Sequence, residues 1–410
     1  MNYKLFLSLL FYIGITLSDF CEKPGLAIKN ITFYPAPFQK PVEQATILIK
    51  NNKIQEILTS NNIEIPENYR IVDSSDKYAV AGFWNNHIHF IEEKWLDAKN
   101  KPRKTEKNLK EILTSWGFVY AFDLAQFDIN NLNIIRKLIA DKTIVGPTIF
   151  SVGVPFTSQN PFYIEPHKLP ELHEYFAINE HIQNQIQNGA EGIKLWSGSP
   201  IKDEVKYMKN NLIKTAAKLT KEKGLPLFSH PTDNKGVKIA VENGVSILTH
   251  TSPTSYKNWD SSLVERMIAN NVALIPTLKL FVWELEKEGV SKTNHPLIIT
   301  AQKQLSTYQK ADGQILFGTD VGYMTDYNPA DEYALMQQSG LTFDEILASL
   351  TIHPAKRFGY ALSKGKIEPG YDADIVILNK NPQKNIQHLS NVSMSIHKGQ
   401  IIYSSEEADY

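Results

Sequence analysis

Hydrophobic and polar positions alternate with a period of two near both ends of the chain, whereas the middle repeats short apolar runs separated by longer polar stretches. Near the start, Leu26–Phe33, Ala45–Lys50 and Lys53–Leu58 read as strands, and Asn51-Asn52 predicts a tight hairpin between the last two. Near the end, Asp374–Leu378 reads as a buried strand after a Pro369-Gly370 turn, and Val392–His397 and Gln400–Tyr403 flank a turn at Lys398-Gly399. Strand patterns at both ends predict one small sheet domain built from residues 22–78 together with residues 360–405.

Between them, over residues 79–359, the apolar runs are Val80–Trp84, Phe118–Leu124, Thr148–Val152, Gly192–Trp196, Leu225–Ser229, Ser246–Thr249, Val272–Pro276 and Ile315–Gly318. Polar segments with helical spacing separate them, among them Glu106–Trp116, Asp203–Lys221, Asn234–Asn243 and Ser261–Asn270. Strand–helix alternation repeated about eight times over ~280 residues predicts the α/β class and a (β/α)8 TIM barrel. The competing open doubly wound sheet lacks its Gly-rich phosphate loop after the first strand.

Lys4, the apolar run Leu5–Leu17 and Ser18-Asp19-Phe20-Cys21 follow the plan of a secretory signal peptide over residues 1–18. The run is shorter than the ~20 residues that span a bilayer. Export to a periplasmic or extracellular space is therefore expected, with no membrane span after signal removal. Phe20 suits lipid attachment at Cys21 poorly.

Composition narrows the chemistry. A hydrophobic fraction of 42% belongs to a globular protein. With 43 basic and 44 acidic residues there is no basic excess to neutralise nucleic-acid phosphates. A single cysteine excludes an intrachain disulfide and zinc sites built on several thiolates. A metal, if bound, must be held by His, Asp, Glu or a modified residue.

His87 and His89 are spaced so that both side chains of a strand point to one face. His230 and His250 each end an apolar run and lie twenty residues apart, about one βα unit. Asp320 ends another, where a metal, a cationic partner or a helix N-cap role accounts for it. Lys194 sits inside the apolar run Gly192–Trp196. As an ammonium it is costly to bury and cannot ligate a metal. Either it pairs with a carboxylate or reaches the mouth, or its amine captures carbon dioxide as a carbamate that bridges two metals.

These pieces, in this order, resemble the metal-dependent amidohydrolase superfamily over nearly the whole chain after the signal-like segment. The resemblance is carried by Gly82-Phe83-Trp84-Asn85-Asn86-His87-Ile88-His89, Gly192-Ile193-Lys194, His230, Gly244–His250 and Gly318-Thr319-Asp320. It continues through His353-Pro354-Ala355-Lys356-Arg357-Phe358-Gly359 and the stretch Gly365–Asp374, which looks like the family's return into a terminal β-sandwich and so implies that the composite sheet domain is a β-sandwich. The His230–His250 spacing and the run Asn271–Leu278 resemble the Xaa-Pro dipeptidase-like and imidazolonepropionase-like subgroup. Three positions depart from the pattern: Asn85 replaces a common Asp, Ala81 a frequent Pro, and His250-Thr251-Ser252 a common His-Gly-Thr.

The resemblance implies two divalent metal ions, zinc first among the candidates. His87, His89 and Asp320 hold one, His230 and His250 the other, and carboxylated Lys194 bridges them. It implies hydrolysis of a carbon–nitrogen bond by a metal-activated water, with Asp320 moving the proton. The alternatives are a mononuclear deaminase or imidazolonepropionase-like ring hydrolase, a lactone or ester hydrolase, and a non-catalytic binding protein. Trp196, Tyr323 and Asp326 are candidates for lining a small-molecule pocket, and Arg103 is the one arginine placed to reach it. Homo-oligomerisation is left open.

Overall fold

A computed structural model describes residues 24–59 and 64–406. The signal-like segment and Cys21 lie outside the described residues.

The chain opens with β1 (Gly25–Phe33), β2 (Val42–Lys50) and β3 (Lys53–Leu58), followed by β4 (Tyr69–Asp73) and β5 (Tyr78–Ala81). Asn51 and Asn52 both take positive φ, 53° and 64°, which asparagine tolerates well and which the β2–β3 hairpin requires. β6 (Phe83–Ile88), β7 (Phe118–Asp123), β8 (Thr148–Ser151) and β9 (Ile193–Trp196) alternate with α1 (Pro102–Ile112), α2 (Ile129–Ala140) and α3 (Tyr175–Gln187). A hairpin, β10 (Gly198–Ile201) and β11 (Glu204–Tyr207), precedes α4 (Asn210–Glu222). Then come β12 (Leu227–His230), α5 (Asn234–Glu242), β13 (Ile247–Thr249), α6 (Ser261–Ala269), β14 (Ala273–Ile275) and α7 (Leu278–Lys287). The helices α8 (Pro296–Lys310), α9 (Ala330–Gln338), α10 (Phe343–Leu350) and α11 (Ile352–Arg357) lead to β15 (Ile375–Leu378), β16 (Val392–His397) and β17 (Gln400–Ser404).

Strands from both ends share one sheet, in the order β17-β16-β15-β5-β1-β2-β3, with β4 also paired to β1. The boundary expected after residue 78 falls inside β5, which pairs antiparallel with β15 through Ile375↔Ala81. Ile28, Ile31, Ile47, Ile49, Ile375 and Ile396 bury one face of this sheet. Asp374 fastens it to the middle of the chain. Its carboxylate accepts hydrogen bonds from His397 Nδ1 (2.8 Å), the Lys398 N–H (2.8 Å) and the Tyr120 hydroxyl (2.5 Å), and His397 Nε2 lies 2.9 Å from Thr148 Oγ1.

The middle contains two parallel sheets, β6-β7-β8 and β9-β12-β13-β14. Parallel bridges Phe156↔Leu195, Leu274↔Ile315 and Ile88↔Val321 join the segment after β8 to β9, β14 to the segment 315–321, and that segment back to β6. Residues 315–318, read as a strand, form no strand of their own and join the neighbouring strands through such bridges. One cause is that the Phe317 N–H donates to Ser349 O and so leaves the ladder. Two further expectations are corrected. The apolar run Val80–Trp84 is divided between β5 and β6, which belong to different sheets. The helix expected from Asp203 starts at Asn210, because Lys202 turns the chain at φ 47° and Glu204–Tyr207 alternate as a strand. Trp84 stacks on Tyr120 at 4.1 Å within an interior cluster that includes Phe122, Phe150 and Phe228. Among the described residues no helix is long and apolar enough to cross a membrane.

Candidate metal centre

The carboxyl ends of the parallel strands converge on one cavity of about 480 Å³, lined by His87, His89, Lys194, Trp196, His230, His250, Asp320 and Tyr323 among others. His87 lies one residue before the end of β6 and His89 directly follows the strand; their Nε2 atoms lie 3.1 and 2.8 Å from Asp320 Oδ1. These three residues present donor atoms within 4.8 Å of one another. The His250 ring lies 4.7 Å from that of His87 and 4.8 Å from that of His230. His230 ends β12 opposite Trp196 and stacks on its indole at 5.6 Å. Lys194, on β9, is 2% exposed, and its Nζ lies 5.2 Å from the Trp196 ring centre.

The backbone is built to bring Asp320 against the histidines. Asp320 sits at φ 64°, and its N–H and that of Thr319 both donate to His87 O. Asn85 clamps the same loop: its Nδ2 donates to Thr319 Oγ1 (2.7 Å), and its Oδ1 accepts from the Thr319 N–H (3.2 Å). Gly318 and Gly322 permit the close approach. A Cβ on Gly318 stands 2.8 Å from His87 Cβ, and one on Gly322, at φ +97°, stands 1.9 Å from His89 O.

Electrostatics favour the ligand-competent forms. Burial takes the His87 imidazole down to about 4 and that of His230 to about 3, Lys194 acting in the same direction and Asp320 against it. Burial likewise holds His250 well below the ordinary imidazole value. At neutral pH these three rings are neutral and carry a lone pair for a metal. Burial pushes the Asp320 carboxyl up, but His87 and His89 outweigh it and hold the group well below the usual carboxylate range. Burial lowers the Lys194 amine to about 7, opposed by Asp320 and Asp123. Nδ1 of His87 and of His89 is buried without a hydrogen-bond partner among the described residues. Unpartnered buried imidazole nitrogens beside a carboxylate and the imidazoles of His230 and His250 make a donor set suited to zinc or a similar divalent ion.

A family model described as Amidohydrolase family matches residues 78–402. The chain belongs to the amidohydrolase family. It is a hydrolase acting on carbon–nitrogen bonds, and within the family it resembles the Xaa-Pro dipeptidase-like and imidazolonepropionase-like enzymes. Ochratoxinase of Aspergillus niger is 22% identical over 396 residues, covering 85% of this chain and 80% of that one. Imidazolonepropionase of Thermoplasma acidophilum is 31% identical over 131 residues, which cover 29% of this chain and 32% of that one. The crystal structure of a Xaa-Pro dipeptidase with bound methionine in the active site shares the fold, with a TM-score of 0.79 at 18% identity over 93% of this chain and 100% of that one.

Against this amidohydrolase frame, some expected contacts move. Trp196 and Tyr323 line the cavity, and Trp196 Nε1 donates to the Tyr163 hydroxyl at 2.9 Å. Arg103 does not reach it; it lies on α1 beside another cavity with Tyr403. Asp326 turns away to pair with Lys279 at 2.8 Å. Sequence reasoning missed four residues. Thr277 Oγ1 lies 2.6 Å from His250 Nδ1. Tyr163 and Glu284 line the cavity, and Glu284 accepts from the Tyr323 hydroxyl at 2.6 Å. Asp123, fully buried at the end of β7, accepts from Ser151 Oγ, Gln126 Nε2 and the Phe90 N–H, and burial raises its carboxyl to about 6. The run Pro276-Thr277-Leu278 was a signal for Thr277, and an apolar run ending in a carboxylate was one for Asp123.

Proposed function

We propose that the chain is a metal-dependent amide hydrolase whose centre is made by His87, His89, Lys194, His230, His250 and Asp320. The observation that carries this is the joint presence of His87, His89 and Asp320, with donors within 4.8 Å, and of His230, His250 and buried Lys194 on the wall of the same cavity. A lysine amine lowered to about 7 keeps a lone pair near neutral pH, the form that adds carbon dioxide to give an anionic carbamate and a released proton. His87, His89 and Asp320 would hold one divalent ion, His230 and His250 would hold a second, and a Lys194 carbamate would add its anionic oxygens to the donor set. A bound divalent ion supplies Lewis acidity and a water acidified toward neutral pH. Asp320, kept ionised, accepts the proton of the attacking water at a carboxylate oxygen and returns it to the leaving nitrogen. His87, His230 and His250 stay neutral through the cycle, and the aromatic wall excludes bulk water.

The same proposal reads the middle of the chain as a (β/α)8 barrel carrying a composite terminal sandwich. Its support is the path of parallel pairing that leads from β6 through β14 and the segment 315–321 back to β6. A one-metal variant is favoured by a different observation: His87, His89 and Asp320 are the tight three-donor group among the described His, Cys, Asp and Glu residues. Elemental analysis separates the two. Close to two ions per chain, with chelator-sensitive release of amine from an amide panel, is the expected result. One ion selects the mononuclear variant, and full amide hydrolysis by metal-free protein overturns the metal-dependent reading.

A further inference from the structure

The cavity beyond the metal-ligand candidates is walled by Phe127, Tyr163, Trp196, Leu280, Phe281 and Leu285. Recognition of a substrate carboxylate in such a place calls for a guanidinium fork or a free ammonium, because a carboxylate buried against apolar walls without one is costly. All five arginines are elsewhere. Arg70 and Arg103 line other cavities, Arg136 pairs with Glu191, Arg266 with Glu242, and Arg357 donates to the Asn271 and Ser246 carbonyls. Apart from Lys194 in the proposed centre, the lysine on the wall is Lys287. Its ammonium is already engaged, 3.8 Å from Glu284 and over the rings of Trp283 (4.9 Å) and Tyr323 (5.8 Å). Glu288 also lines the mouth, so carboxylates outnumber ammonium groups there.

Resting on the amide-hydrolase reading, we infer that the substrate group lying against α7 is uncharged and apolar, an aromatic or aliphatic residue without a carboxylate. Glu284 then acts as a specificity-determining residue that repels anionic substrates while it orients Tyr323. The chain selects neutral hydrophobic amides over peptides or acylamino acids that end in a free carboxyl.

A matched pair tests this: N-benzoyl-2-phenylethylamine and N-benzoylphenylalanine, which share a skeleton and differ by one carboxylate. With the full chain carrying its bound metal, kcat/KM for the neutral compound is expected to exceed that for the acid by at least about tenfold. Glu284→Gln is expected to narrow that ratio through the KM of the acid. Thermal-shift binding of the same pair keeps the inference separate from the hydrolytic reading. Selective binding of the neutral compound without turnover supports the inference and counts against the hydrolytic reading. Equal or better use of the acid, or binding of neither compound, overturns the inference.

Discussion

Thr277 holds the His250 imidazole through a 2.6 Å contact while its own backbone sits at φ 44° and ψ 53°. A β-branched residue in this left-handed region costs on the order of 1–3 kcal/mol, and such strain persists where the surroundings enforce it. The Thr277 hydroxyl donates to Pro276 O at 2.9 Å, so its oxygen is left to accept from His250 Nδ1, and Nε2 keeps its lone pair. Thr277→Val preserves shape and removes the acceptor. Metal affinity is expected to fall ~10–100-fold, and Thr277→Ser is expected to retain most of it. Metal titration followed by dialysis is the measurement; unchanged affinity in the valine variant refutes the positioning role.

Lys194 is buried beside Trp196, with no carboxylate within ion-pair distance among the described residues. Protein equilibrated with ¹³C-bicarbonate should show a carbamate carbon resonance that Lys194→Ala lacks. That variant should also lose bound metal and reduce turnover by more than the ~10–100-fold typical of supporting residues. A lysine variant with normal metal content and rate contradicts the bridge.

Gly322 faces His89 O so closely that any Cβ must displace the backbone that carries the ligand candidate. Gly322→Ala is expected to cost more than about 1 kcal/mol of stability, since its φ is also unfavourable for alanine. Urea midpoints measure this. Metal binding should weaken in the same variant, because His89 has to move.

Asp374 gives a pH dependence distant from the metal centre. Burial raises its carboxyl, but the hydrogen bonds from His397, Tyr120 and the Lys398 N–H outweigh burial and set it at about 2, below the ordinary 3.8. An acid with a lowered folded-state value stabilises the fold fully above its unfolded value and loses that contribution as pH falls toward the folded one. Asp374→Asn should therefore cost roughly 2 kcal/mol at neutral pH and flatten the stability curve between about pH 4 and 2. Denaturant unfolding across that range checks both.

Part of the candidate site is legible in the sequence because several of its residues end an apolar run, and strand ends are where side chains meet in parallel α/β folds. His230, His250 and Asp320 meet this condition, whereas Lys194 lies inside its run and the His87/His89 pair is marked by its spacing. What escapes is set by backbone conformation or by chain far away. The strain at Thr277 leaves no mark in composition. Tyr163 lies in an aperiodic segment, and its place is decided by Trp196. The break between β5 and β6 falls inside a single apolar run, where periodicity carries no boundary. Arg103 and Asp326 are near the site in sequence, yet helix direction and the competing partner Lys279 take them elsewhere.

The pairing of β5 with β15 has a consequence for how the protein is made. Every candidate ligand precedes residue 375, so a nascent chain carries all of them before β15 exists. Until β15 emerges, one side of β5 is a bare strand edge, the kind of surface on which chains pair with one another. Long-range closure of this sort is also slow. Synthesis arrested before residue 375 is therefore expected to yield aggregates rather than a smaller working enzyme, and the final strands serve as a test of completeness.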